Sequence, residues 1–183
     1  GTTMRFCVTI FISLFISSLL NGQDKNESGT APGDLALRIK SISFVKNNEY
    51  FSPVIEGYTL LGYFFQPVLL YSPSEKLTLS LGAHFLSYSG TGGFSGIRPV
   101  FSTRYRISER SRLIIGTLWG SDCHKLFDPH FNSERLYNEY IEDGVQYIFK
   151  DGSFFSDTWI SWENFIFKGD SEREIFTAGE SFR

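Results

Sequence analysis

The chain has 183 residues, with 17 Lys and Arg against 20 Asp and Glu, a formal net charge of −3, and 17% aromatic residues beside 20% charged ones. That balance gives a nucleic-acid partner no electrostatic support from the chain as a whole. Mean hydropathy is −0.10, so apolar and charged residues interleave, and no stretch after residue 20 approaches the roughly 18 uninterrupted apolar residues of a spanning helix.

Gly1 to Thr3 precede Met4 and read as extraneous, with translation starting at Met4. Arg5 then supplies one positive charge, Val8 to Leu20 a short apolar core, and Asn21, Gly22 and Gln23 a polar exit. This is the layout of a secretory signal peptide over residues 1–22, because the apolar core is too short for an anchor. Cys7 lies in the leader, so Cys123 is the one cysteine left in the exported chain and no internal disulfide can form. Residues 23–34 (QDKNESGTAPGD) read as a flexible lead-in. About 160 residues then remain, enough for one domain over residues 35–183.

Leu35 to Lys46 alternates apolar and polar residues in its first half and is a candidate first strand. Asn47 to Ile55 breaks it. Glu56 to Tyr71 is long and aromatic on both parities, and its Pro67, which cannot donate to a ladder, predicts a bulge or a rim position. Residues 72–76 (SPSEK) form a tight turn. In Leu77 to Tyr88, Leu77, Leu79, Leu81, Ala83 and Phe85 oppose Thr78, Ser80, Gly82 and His84, a period of two that only a strand can use.

After the glycine-rich loop Ser89 to Gly96, Ile97 to Ile107 places Ile97, Phe101 and Tyr105 on one parity and Arg98, Arg104 and Arg106 on the other. Ser108 to Ser111 turns the chain, and Arg112 to Trp119 continues the same alternation. With even residues inside, three consecutive strands keep every charge off the outer face. Gly120 to Asp143 is the longest connection, Gly144 to Phe149 a short strand, and Lys150 to Gly152 a hairpin turn. Phe154 to Phe167, a loop at Lys168 to Glu172, and Arg173 to Arg183 complete eight strands.

Connections alternate long and short, which is the plan of a transmembrane β-barrel with short periplasmic turns and longer outside loops. Loops at 47–55, 89–96, 120–143 and 168–172 would face outside. Tyr71, Tyr88, Tyr105, Trp119 and Phe149 fall near strand ends, where aromatic belts lie. The fold class expected is therefore all-β, an antiparallel up-and-down transmembrane barrel of about eight strands or an open part of a larger one.

The signal peptide, the run GYFFQPVLLYSPSEKLTLSLGAHFLSYSG and the segment SDTWISWENFIFKGDSEREIFTAGESF resemble outer-membrane β-barrel proteins of Bacteroidota-type bacteria. The resemblance implies the outer membrane of a Gram-negative bacterium, with outer-membrane lipid and small solutes as partners. Such barrels usually end on an aromatic residue, whereas this sequence ends Phe182, Arg183. An N-terminal piece of a longer protein is the expectation drawn from that departure.

Arg98, Arg104, Arg106 and Arg112 make a basic stripe on the inner wall that either attracts anions or pairs with the inward acids Asp157 and Glu163. An eight-stranded interior is filled by side chains, which favours pairing, with His84 as one more member of the network. His124, Asp128 and His130 beside Cys123 are metal-ligand types in the longest loop, but their spacing on a polar loop is a weak zinc signal, and no metal or cofactor is assigned. Trp159 and Trp162 could stack on sugar rings, as in a secreted soluble β-sandwich that binds carbohydrate; membrane-belt aromatics are the preferred reading. No Gly-x-Ser-x-Gly elbow or Ser/His/Asp order stands out. The expected function is accordingly a non-enzymatic outer-membrane barrel, porin-like or structural.

Overall fold

A computed structural model describes residues 31–48, 58–120, 124–126, 135–138 and 140–183. Eight strands follow one another in space as they do in sequence: β1 (Leu35–Asn48), β2 (Tyr58–Ser74), β3 (Leu77–Tyr88), β4 (Gly96–Arg106), β5 (Ser111–Thr117), β6 (Asp143–Asp151), β7 (Phe154–Asn164) and β8 (Ile175–Phe182). Every neighbouring pair is antiparallel. A one-turn helix, α1 (Arg135–Asn138), lies in the β5–β6 connection. Among the described residues, β1 and β8 are the edges of the ladder and do not pair with each other, so the sheet is an open up-and-down array. One such sheet has no second layer to pack on, and the sandwich alternative is excluded. The proposed signal peptide and most of the 47–55 loop lie outside the described residues.

Alternation sets the two faces. On β2, Phe64, Gln66, Val68 and Ser72 are buried while Leu61, Tyr63, Phe65, Leu69 and Tyr71 are exposed. The parity carries across register: Leu69 pairs with Leu81, and Leu81 with Phe101. Leu81, Phe101 and Ile115 all face outward, and Ser80, His84, Ser102 and Ile114 face in. Parity switches at the β6–β7 turn, where Gly152 has φ +58°, and from there odd residues face inward: Asp157, Trp159 and Ser161 are buried. Away from strand ends, Glu180 is the charged residue on the outer face of the described strands, where it accepts bonds from Ser156 Oγ and Thr158 Oγ1, both at 3.4 Å.

Three local expectations are corrected. Pro67 sits neither at a bulge nor at a rim: it pairs with Ile39 in mid-strand, and the register to β3 runs on from Phe65–Phe85 to Val68–Gly82. Two pairs are simply missing from that ladder, because a proline has no N–H to give. The irregularity falls instead between Tyr71 and Ser74, so β2 continues through Pro73 into what composition marked as a turn. Tyr88 is not a belt residue; its hydroxyl donates to the Tyr137 carbonyl at 2.9 Å, inside the sheet.

The β5–β6 connection folds into the concave side and fills it. Tyr137 packs against Phe44 with ring centroids 4.7 Å apart, Tyr140 against Phe64 at 4.6 Å, and Ile141 joins Val68 and Val100. Residues of this one segment therefore touch β1, β2, β3 and β4. The sheet curls because it has a core of its own to wrap.

The outward face predicts a depth-dependent penalty. Leu81→Arg, which sets a guanidinium between Leu69 and Phe101, is expected to cost about 2–4 kcal/mol if that row meets the bilayer midplane. The measurement is the fraction of heat-modifiable, folded band recovered after refolding into lipid.

Candidate functional site

The most completely buried polar cluster is built from the plug and the two strands that follow it. His124 is 4% exposed and Gln146 is 0% exposed. His124 Nε2 lies 2.8 Å from Glu142 Oε2, and Nδ1 lies 3.1 Å from Asp157 Oδ2. Gln146 Nε2 donates to Asp157 Oδ1 and to the Trp119 carbonyl, both at 2.8 Å, while Gln146 Oε1 accepts from the Trp119 amide at 2.8 Å. One side chain thus fixes the carboxylate and the exit of β5 together. At the outer end, Arg135 Nη2 bridges Glu142 Oε1 at 2.8 Å and Glu163 Oε1 at 3.2 Å.

The imidazole is also held by its faces. Trp159 stacks on it with centroids 3.8 Å apart and planes 3° apart, and Ser181 Oγ donates to the His124 carbonyl at 2.7 Å. His124 has φ +43°, a left-handed conformation that a non-glycine residue holds only where its surroundings over-determine it. Behind the indole lies Gly179, where an added Cβ would stand 2.5 Å from a Trp159 ring carbon. The glycine lets the ring lie flat against β8.

Burial alone would depress the His124 pKa, but the hydrogen bonds and charges of Asp157 and Glu142 outweigh it, and the imidazole is held above its ordinary 6.5. With a carboxylate oxygen at each ring nitrogen, its surroundings favour the protonated form. Ser161, the next inward residue after Trp159, has a buried hydroxyl with no hydrogen-bond partner.

Against the sequence reading, the seven lumen candidates fall into different surroundings. His84 is buried, 3.4 Å from Gln66 Oε1 through Nδ1 and stacked with Tyr140 at 5.4 Å. Arg98 reaches the Ile141 carbonyl at 3.1 Å and Asp143 at 3.2 Å, and Arg106 donates to the Glu75 carbonyl at 2.7 Å at the turn end. Arg104 bonds Ser80 Oγ at 3.1 Å, and Arg112 pairs across the ladder with Arg106 and Ile148. Contrary to the expected pairing, Asp157 and Glu163 do not join this stripe: Asp157 binds His124 and Gln146, and Glu163 binds Arg135. The sugar platform is overturned, since Trp159 faces the interior while Trp162 is exposed on the other face and donates to Glu174 at 3.0 Å. Trp159 is for the same reason not a belt residue.

Of the weak metal candidates, Asp128 and His130 lie outside the described residues, and both ring nitrogens of His124 are taken by separate carboxylates. Sequence reasoning missed Arg135, Glu142, Gln146 and Ser161. For Gln146 and Ser161 the signal existed in strand parity; for Glu142 and Arg135, which sit in an irregular connection, there was none.

Residues 24–183 match the family model described as Lipid A 3'-O-deacylase-type. No curated protein and no solved structure matches the chain. The match overturns the expectation of a non-enzymatic protein. That expectation rested on the lack of a contiguous motif, whereas the polar groups that could do chemistry here come from the plug, β6 and β7.

Two outcomes follow. His124 binds its proton more tightly in the folded protein than in the unfolded chain, so its stabilising contribution is complete below pH 6.5 and is lost as pH rises through the raised folded value. The unfolding midpoint in detergent should fall across that window, and His124→Gln should flatten the fall. Gly179→Ala should destabilise the fold by about 1–3 kcal/mol by pushing Trp159 off His124, read as a lower midpoint and altered indole fluorescence.

Proposed function

We propose, from the premise that this chain belongs to the Lipid A 3'-O-deacylase-type family, outer-membrane β-barrel proteins, that it is a hydrolase of the outer membrane that releases an ester-linked acyl chain from lipid A. The family match carries the reading. In it residues 1–22 export the chain, and outer-membrane lipid is both surroundings and substrate. The filled interior weighs against the porin-like role expected from parity: Tyr137, Tyr140 and Ile141 occupy the space a solute would cross.

His124 is the proton-transfer group in this reading. Asp157 holds Nδ1, as the acid of a catalytic triad does, and leaves Nε2 as the working nitrogen. At rest Nε2 is engaged by Glu142, which has a second partner in Arg135. A shift of the carboxylate toward Arg135, with loss of the imidazolium proton, frees Nε2 to act as a base. Ser161 is assigned as the nucleophile, because its hydroxyl is buried and unpartnered and follows Trp159 by two residues, about 7 Å along the strand.

The reaction is then acyl transfer. The Ser161 proton passes to Nε2 as Oγ attacks the ester carbonyl carbon, and the bond from that carbon to the 3'-oxygen breaks as the oxygen takes the proton. Water, deprotonated by the same nitrogen, releases the acyl chain and restores the hydroxyl.

Mass spectrometry of lipid A from a host expressing the chain in its outer membrane should find a species lighter by one acyl chain. His124→Gln and Ser161→Ala should each slow its formation by about 10²–10⁴-fold, and the wild-type rate should climb as pH passes 6.5 and the raised His124 value. Lipid A left intact by the wild type sinks the hydrolase reading. Full activity of Ser161→Ala would remove that serine alone.

A further inference from the structure

We infer that Gln146 is a positioning residue for the proposed hydrolysis: by pinning Asp157 it keeps the last imidazole proton of His124 on Nδ1 and leaves Nε2 as the nitrogen that works. The inference rests on the hydrolase reading and adds to it a residue that acts through another.

The direction of the Gln146 amide follows from its neighbours. The side chain is fully buried, so each of its polar atoms needs a partner within the protein. Trp119 presents both its backbone N–H and its C=O to it. Oε1 accepts from the first and Nε2 donates to the second, each at 2.8 Å. Turned over, the amide would set donor against donor and acceptor against acceptor. Its other Nε2 hydrogen goes to Asp157 Oδ1, also at 2.8 Å. Both hydrogens are then engaged, and Nε2, 3.5 Å from His124 Nδ1, has none left for that ring nitrogen.

A neutral imidazole has one proton for two carboxylates. Glu142 stands nearer, with 2.8 Å to Nε2 against 3.1 Å between Asp157 and Nδ1, and distance alone would put the proton on Nε2. Freedom to move decides the other way. The second oxygen of Glu142 lies 2.8 Å from Arg135 Nη2, so this carboxylate keeps a charge-assisted partner when it draws back from the ring. Among the described residues Asp157 has no ion-pair partner besides His124, and its Oδ1 is held by an amide that is itself fixed to the backbone at the exit of β5. It cannot retreat. A bare Nδ1 would therefore set its lone pair against a carboxylate oxygen in a dry interior, where an unsatisfied polar group is most costly. The proton stays on Nδ1, and the base is presented at Nε2.

Gln146 also ties Trp119 to β6, so its loss lowers stability whatever its part in the chemistry. The position of the proton is a readout that stability alone does not move.

The test uses the whole chain refolded in neutral detergent, with histidine isotope-labelled at its ring nitrogens; the His124 resonances are those absent from His124→Gln. At a pH above the His124 titration, the neutral ring of the wild type should carry its proton on Nδ1. Gln146→Met should spread the proton over both nitrogens and lower kcat for lipid A deacylation about 10–100-fold with KM unchanged. Gln66→Met, which removes a buried amide beside His84 instead, should alter neither. If Gln146→Met does not fold, Gln146→Asn, whose amide is one methylene too short to reach Trp119 and Asp157 together, must show the same redistribution and loss. A wild-type proton on Nε2 would overturn the proposal, as would Gln146 variants that keep full kcat or keep the proton on Nδ1. Lipid A left intact by the wild type would instead remove the hydrolase reading and with it the step that Gln146 serves, while the proton's position would still decide whether Gln146 sets the tautomer.

Discussion

Charge cannot rest in hydrocarbon without a large penalty, and this fold is organised by that constraint. The strands put Leu81, Phe101 and Ile115 outside and Ser80, His84 and Ser102 inside, so the side chains that would be expensive against lipid are gathered on one concave surface. Concentrating them creates a second problem, because charges drawn together in a space with little water must find partners. The β5–β6 connection meets most of that need. It brings Glu142 and Arg135 to the interior, exposes the Ile141 carbonyl to Arg98, and sets Tyr140 beside Lys40, whose ammonium bonds its hydroxyl. The plug is as much an electrostatic component as a packing one.

Partnering is uneven along the barrel axis. At the plugged end nearly every ionised group has an opposite number, and one imidazolium has two. At the short-turn end Arg104 has only a hydroxyl. This polarity divides the molecule chemically: one end holds a preorganised acid–base cluster in dry surroundings, where electrostatic interactions are strong, and at the other Arg104 keeps a buried Nε with no hydrogen-bond partner. The proposed acyl-ester hydrolysis would draw on the first property.

Rigidity links the cluster to the fold. Gln146 ties Asp157 to the backbone of Trp119, Ser181 ties the His124 carbonyl to β8, and Gly179 makes room for the indole that backs the ring. The supports come from β6 and β8, and they tie Asp157 of β7 and the exit of β5, so the geometry of His124 depends on β5 through β8 being in register. A groove cut into a loop would not hold an imidazole in a left-handed backbone conformation between two carboxylates.

The sequence by itself determined the strands, their order and, from Leu77 to Trp119, which face the residues take, because a period of two and alternating turn lengths are local properties of the chain. Leu77 to Tyr88 was legible to the residue. It also placed Asp157 and Glu163 inside. Only the tertiary structure decided their partners, since pairing depends on how far apart in space residues of different strands and a long irregular connection come to rest, and no local period encodes that. Trp159 shows the limit clearly: its parity with Asp157 marks it as inward, but that it would lie flat on His124 follows from a glycine on the next strand and a loop that begins some forty residues earlier.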